Sequence, residues 1–225
     1  MKIYFDGCSW TYGAELENPE EERFSKVLCN ELGAEEYNIA QGGGSNDRIV
    51  RNLLVEHEHN IEDYDLAVIQ MTYPVRTEFY DNKWIRVNPK NNYNKWLHGE
   101  DGNIERLGEK FKDHADFWKY YYMHVANEKY FETQEKIHYH TIRNSCKIPL
   151  VLLTINRWTK LPFDLQLNDG YLINLKQGIP LRKIRGVITG NGSRDMKHRY
   201  GHPTKEVHKH FAEQIYSLAI SATRS

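Results

Sequence analysis

Cysteine is scarce in this sequence and unpatterned. Cys8, Cys29 and Cys146 are odd in number and include no CxxC pair. No disulfide framework is implied, and reduced thiols in a cytoplasmic setting are the simplest expectation. No apolar run is long enough for a membrane span. The opening MKIYFDG carries one lysine and only a short apolar run before Asp6, which is not the pattern of a secretory signal. Charge of one sign is also lacking: the formal net charge is -1 over 225 residues. That gives no case for a nucleic-acid partner or an acidic membrane surface. Linkers rich in Pro, Gly or Ser, internal repeats and low-complexity tracts are absent. A single domain over 1–225 is therefore expected, with a polar excursion over the surface at about 80–114. What is present suffices for a core: 40% of residues are hydrophobic, at a mean hydropathy of -0.74, that of a soluble protein.

The stretch that organises the chain is Lys2-Ile3-Tyr4-Phe5-Asp6-Gly7-Cys8-Ser9-Trp10-Thr11-Tyr12-Gly13. A short apolar run predicts a buried strand over 2–5. It stops at a glycine, and a serine follows before a helix-like stretch. Such a turn gathers a hydroxyl and several backbone N–H groups in one place. Acyl transfer needs both a nucleophile and oxyanion donors. The plainer reading is that Ser9 only caps the helix.

Pro19, the acidic run Glu20–Glu22 and the spacing of Phe24, Val27, Leu28 and Leu32 predict one helix over 19–32, ended by Gly33. A weaker strand over 35–40 runs into Gln41-Gly42-Gly43-Gly44. Ser45 or Asn46 can cap a helix over 47–59. Residues 65–71 read as a central strand, apolar on both faces. Residues 115–145 read as helix, with Phe117, Tyr121, His124 and Val125 facing the core and Phe131, Ile137, Tyr139 and Ile142 extending the face. A second central strand follows over 149–155, then a loop-rich segment over 156–200. A last helix over 204–219 buries Val207, Phe211, Ile215, Tyr216 and Leu218. Alternation of this kind predicts a doubly wound parallel sheet with right-handed crossovers. Ser9, the Gly42–Gly44 loop and the His198/His202 segment then share the carboxyl edge of that sheet, where ligands of such folds bind.

A serine needs an adjacent base, and an imidazole needs a carboxylate to orient it. Asp195 and His198 have DxxH spacing, and His202 is followed by Pro203. Eleven histidines are scattered over the chain, so a solvated cluster competes with this reading. A zinc site at Asp195, His198 and His202 competes less, because no further ligands stand out. The glycine triplet has no P-loop lysine to make it a nucleotide site.

Taken together, Gly7-Cys8-Ser9, Asn38-Ile39-Ala40-Gln41-Gly42-Gly43 and His202-Pro203 resemble blocks I, II and V of the SGNH (GDSL-like) hydrolases. The GCSxTxG opening and GGxSNDRI-like second block are most similar to small members from tailed phages and bacteria. The resemblance implies a three-layer α/β/α, flavodoxin-like parallel sheet and ester or acetyl-ester hydrolysis, with no metal and no cofactor. It implies Ser9 as nucleophile, with the Ser9 and Gly43 amides as oxyanion donors. It implies His202 as base and Asp195 as the acid that orients it. A small-molecule or carbohydrate ester is the implied partner.

Three departures qualify this. Cys8 replaces the usual aspartate of block I. No asparagine follows the strand at 65–71, so the third donor is either missing or replaced by Thr72, Arg76 or Asn46, the candidates for a further oxyanion or substrate contact. Asp195 precedes His198 by three residues, whereas His202 has Arg199 there. Either His198 is the base with Asp195, or His202 is the base with a looser acid; the His-Pro-Thr sequence favours His202. A catalytically reduced binding or accessory protein on the same fold is the alternative, with Trp84, Tyr93 and Trp96 stacking on a sugar or a base.

Overall fold

The structure is a computed structural model, and it describes residues 1–55, 60–80, 82–87, 115–155, 161–168, 171–174, 179–183 and 202–224. Nine strands are described: β1 (Lys2–Asp6), β2 (Glu35–Asn38), β3 (Leu66–Met71), β4 (Thr77–Tyr80), β5 (Trp84–Val87), β6 (Leu150–Thr154), β7 (Leu165–Asn168), β8 (Tyr171–Asn174) and β9 (Ile179–Lys183). The helices are α1 (Ser9–Tyr12), α2 (Pro19–Glu22), α3 (Phe24–Leu32), α4 (Asn46–Leu54), α5 (Ala115–Tyr120), α6 (Glu128–Ser145) and α7 (Lys205–Thr223). None of the described helices is long and apolar enough to cross a membrane.

The main sheet runs β2-β1-β3-β6-β7-β8-β9. Pairing is parallel from β2 through β7. Because β2 and β3 lie on opposite sides of β1, the winding reverses between β1 and β3. A crevice opens at that point beyond the carboxyl ends of the strands. Side chains alternate between two apolar faces. Ile3, Phe5, Leu66, Val68, Val151 and Leu153 pack under α3 and α7, against Phe24, Leu28, Phe211 and Ile215. Tyr4, Ala67, Ile69, Met71 and Leu152 pack on the other side against Ile49 of α4 and Tyr139 and Ile142 of α6. The architecture is thus a three-layer α/β/α sandwich on a mostly parallel sheet.

Several elements differ from their sequence expectations. The helix expected over 19–32 breaks at Arg23, whose backbone is extended (φ -65, ψ 146). Its guanidinium forks onto Glu20 at 2.8 Å and Glu36 at 2.9 Å, and the Phe24 N–H donates to Nδ1 of His208 at 3.1 Å rather than back into α2. Strand β2 ends at Asn38, where Oδ1 of that side chain takes the Ala40 N–H at 2.9 Å. Ser45, not Asn46, caps α4, its Oγ accepting from the Arg48 N–H at 3.2 Å. The helix expected over 115–145 is interrupted by a π-helical turn, Tyr121–Val125, and a break at Ala126 and Asn127. The buried face lies one residue on from the expected one, already at Trp118, before that turn. Trp118, Tyr122 and Ala126 are buried, while Phe117, His124, Val125 and Ile137 are exposed.

Of the span 80–114, only Tyr80 and 82–87 are described, in the β4–β5 hairpin; the rest of the expected excursion lies outside the described residues. The segment 156–200 is not all loop: β7 extends the sheet in parallel, and β8 and β9 add to it antiparallel. On α7, Val207, Phe211 and Ile215 are buried as expected, but Tyr216 is exposed.

Two buried polar contacts lock this frame. Asp6, wholly buried at the end of β1, accepts from the Gly7 N–H at 2.7 Å, Arg48 Nη1 at 2.6 Å and Asn52 Nδ2 at 2.8 Å. Arg48 also donates to the Ile39 carbonyl. Buried His208 ties α7 to α3. Burial, helped by nearby His202 and opposed by Glu22, pushes its pKa down from 6.5 to about 3.

Two outcomes follow for stability. Arg48→Met leaves the Asp6 charge buried without its partner and should cost about 3–5 kcal/mol, read by urea unfolding; Asp6→Asn combined with it should recover part of the loss. His208 takes a proton near pH 6.5 when unfolded but only near 3 when folded. Its contribution is present above pH 6.5 and is lost as pH falls from there towards 3, with a slope of up to about 1.4 kcal/mol per pH unit. His208→Asn keeps an acceptor for the Phe24 N–H, and urea midpoints across that range should lose this part of the slope.

Candidate active site

Ser9 opens α1 directly beyond β1, at the β1/β3 reversal. Gly7 makes the turn possible. A Cβ there would stand 2.5 Å from Thr11 Oγ1 and 3.0 Å from Gln70 Cβ, so any side chain would force the turn apart. Cys8 caps the helix in extended conformation, and Gly13 closes it with φ 83. Ser9 is 8% exposed, and as a first-turn residue its N–H has no partner within the helix. Its Oγ donates to Cys8 Sγ at 3.9 Å.

The glycine loop lies against this turn. The Gln41 N–H donates to the Gly7 carbonyl at 3.2 Å, and the Gly44 N–H to the Gln41 carbonyl at 2.9 Å. At Gly44 a Cβ would meet the carbonyl oxygens of Gln41 and Gly7, both at 3.0 Å. Gly43 has φ 73, which favours glycine. Asn38 anchors the approach to the loop: its Nδ2 donates to the Thr11 carbonyl at 3.0 Å and Ser25 Oγ at 2.9 Å. Arg86 of the hairpin holds the Gly42 carbonyl.

Beyond β3, Asn46 binds the backbone of Thr72. Its Oδ1 accepts the Thr72 N–H at 2.8 Å and its Nδ2 donates to the Thr72 carbonyl at 3.1 Å. These two bonds fasten α4 to the end of β3 and use one of the two Nδ2 hydrogens. Thr72 Oγ1 accepts from Arg76 Nη1 at 2.7 Å, and the Arg76 guanidinium lies 5.2 Å above the Tyr73 ring. Among the described residues no carboxylate pairs with Arg76.

Gln70 was not singled out in the sequence, although a lone amide in an apolar strand is a legible signal. It is wholly buried; its Nε2 donates to Cys8 Sγ at 3.3 Å and its Oε1 accepts from Thr11 Oγ1 at 2.5 Å. Burial pushes the Cys8 thiol up. The Arg76 guanidinium, the Trp10 N–H, Gln70 and Thr72 outweigh it and hold the thiol below its ordinary range.

His202 stands at the head of α7. Its Nδ1 lies 3.1 Å from Glu15 Oε2, in ion-pair range but off hydrogen-bond alignment. Trp10, next to Ser9, stacks on Phe211 of α7 with ring centroids 6.0 Å apart, so α1 and α7 meet at this edge. No hydrogen bond joins Ser9 to His202 among the described residues. Asp195 and His198 lie outside the described residues, as do Tyr93 and Trp96. Trp84 has the Arg51 guanidinium 4.4 Å above its ring, so one face is already covered.

No family model matches the sequence, and no curated protein does. Solved structures are similar at low identity. The psychrotrophic esterase EstA from Pseudoalteromonas sp. is 11% identical, with 98% of this chain and 96% of that one covered at a TM-score of 0.46. The lipase Lip_vut3 from a goat rumen metagenome is 10% identical, with 96% of each chain covered at a TM-score of 0.47. The acetyl xylan esterase Est2A from Butyrivibrio proteoclasticus is 12% identical, with 96% of this chain and 63% of that one covered at a TM-score of 0.44.

Proposed function

We propose that this chain is a serine hydrolase that cleaves an acyl ester, such as an O-acetyl group on a carbohydrate or small metabolite. The observation that carries the reading is the placement of Ser9. It heads a helix at the winding reversal, against the glycine loop, and its neighbour Trp10 stacks on Phe211 of α7, the helix that His202 precedes.

Ser9 Oγ attacks the acyl carbon while His202 takes its proton. The bond to the leaving alkoxide then breaks, and the imidazolium returns the proton to that oxygen. Water, activated by the same imidazole, frees Ser9 from the acyl group. The Ser9 and Gly43 amides hold the oxyanion. Thr72 and Arg76 occupy the place of the missing block III asparagine. There the Arg76 guanidinium adds positive charge beside the reacting centre.

A binding or accessory role on the same fold is the second reading. It is favoured by one observation: the Ser9 hydroxyl faces Cys8 Sγ rather than an imidazole.

The test is p-nitrophenyl acetate hydrolysis by wild type, Ser9→Ala, His202→Ala and His198→Ala. The esterase reading expects Ser9→Ala and His202→Ala to lose about 10³-fold or more in kcat, with His198→Ala near wild type. Wild-type turnover equal to that of Ser9→Ala, together with no labelling of Ser9 by a fluorophosphonate, selects the binding role.

A further inference from the structure

Glu15 carries no signal in the sequence, yet its backbone and its carboxylate are both unusual. It lies just beyond Gly13, in the loop that leaves α1. Its φ is 69°, in the left-handed region that few non-glycine residues occupy unless the surroundings hold them there. Its side chain is 18% exposed, as is that of His202, and Oε2 contacts His202 Nδ1 at 3.1 Å. Oε2 is enclosed and takes no aligned hydrogen bond among the described residues. Such a carboxylate oxygen is costly unless a neighbouring donor turns to it, and the imidazole Nδ1 is in contact with it.

Among the described residues at the head of α7, Glu22, Glu206 and His208 have partners of their own. Glu22 is used by Lys205 Nζ at 2.8 Å and the Asn18 N–H at 3.2 Å. Glu206 serves the start of its own helix, where its own N–H and Thr204 hold its carboxyl below the usual range. His208 is buried and accepts the Phe24 N–H. Asp195 has the DxxH spacing to His198, not to His202.

We propose that Glu15 is the positioning residue of this site: its carboxylate fixes the Nδ1–H tautomer of His202 and presents Nε2 as the base for Ser9. This rests on the esterase reading. The proton of Ser9 Oγ passes to Nε2 as the bond from Oγ to the acyl carbon forms. Glu15 keeps its charge, takes no proton and stabilises the imidazolium until the proton moves to the leaving oxygen.

The experiment compares wild type, Glu15→Gln, Glu15→Asp, Asp195→Asn and Ser9→Ala. Two quantities are read: p-nitrophenyl acetate kinetics, and the tautomer of the neutral His202 ring from its nitrogen-15 NMR shifts. Glu15→Gln should lower kcat by about 10²–10⁴-fold with KM nearly unchanged. A carboxylate against Nδ1 holds the ring proton there, so its loss should move the neutral ring from the Nδ1–H towards the Nε2–H tautomer. Glu15→Asp, which keeps the charge, should recover part of the rate and of the Nδ1–H form, and Asp195→Asn should leave the tautomer in place. A tautomer unchanged in Glu15→Gln, or changed by Asp195→Asn instead, overturns the inference. A wild type with no Ser9-dependent turnover overturns the esterase reading, and the NMR tautomer then still decides the pairing of Glu15 with His202.

Discussion

A carboxylate with no access to water stands at the end of the first strand. Asp6 is wholly buried, so its charge must be met by donors inside the protein. It takes them from the next peptide, from Arg48 and from Asn52, and Arg48 extends the network to the chain leaving β2. One side chain thereby ties the ends of β1 and β2 to α4. The following residue has no room for a Cβ, so the chain must turn sharply there. Cys8 drops into the interior and Ser9 emerges at the head of a helix. The placement of the candidate nucleophile is a consequence of a buried charge and a missing side chain.

Around that turn lies a compact polar cluster in an otherwise apolar frame. Gln70 and Thr72 come from the last residues of β3 and just beyond it, and Cys8 from the turn. Gln70 donates to the sulfur, while the Arg76 guanidinium is the strongest influence opposing burial on it. A guanidinium that favours a thiolate favours any negative charge formed at the same edge, and in a desolvated site that effect is strong. Asn46 shows how context sets a role. Its amide closes two bonds with one backbone residue and so helps to hold the fold.

The main alternation of strands and helices is legible because each core strand is a short apolar run and each covering helix has one apolar face. The losses have particular causes. Arg23 breaks a helix because its guanidinium and the neighbouring N–H are both recruited by distant groups, Glu36 and His208. Around Phe117–Tyr122 aromatic residues stand side by side, so a helical period can be laid through Phe117 and Tyr121 or through Trp118 and Tyr122, and the second phase is the buried one. Strands β7 to β9 were hidden by weak periodicity, although Asp169-Gly170, between the paired Asn168 and Tyr171, is a favoured pair for a two-residue hairpin.

The sequence by itself determined the strand-glycine-serine opening, the glycine loop, the histidine-proline start of the last helix and the parallel α/β class. Each of these is written in local residue type and spacing, which local physics reads directly. Only the tertiary structure decided which groups meet. It locked Asn46 to Thr72 and built the Gln70–Cys8–Thr72–Arg76 cluster. It also set Glu15, on a left-handed backbone, against the imidazole of His202. These pairings join residues far apart in the chain, and they exist only once two helices and a strand end are brought to the same edge of one sheet.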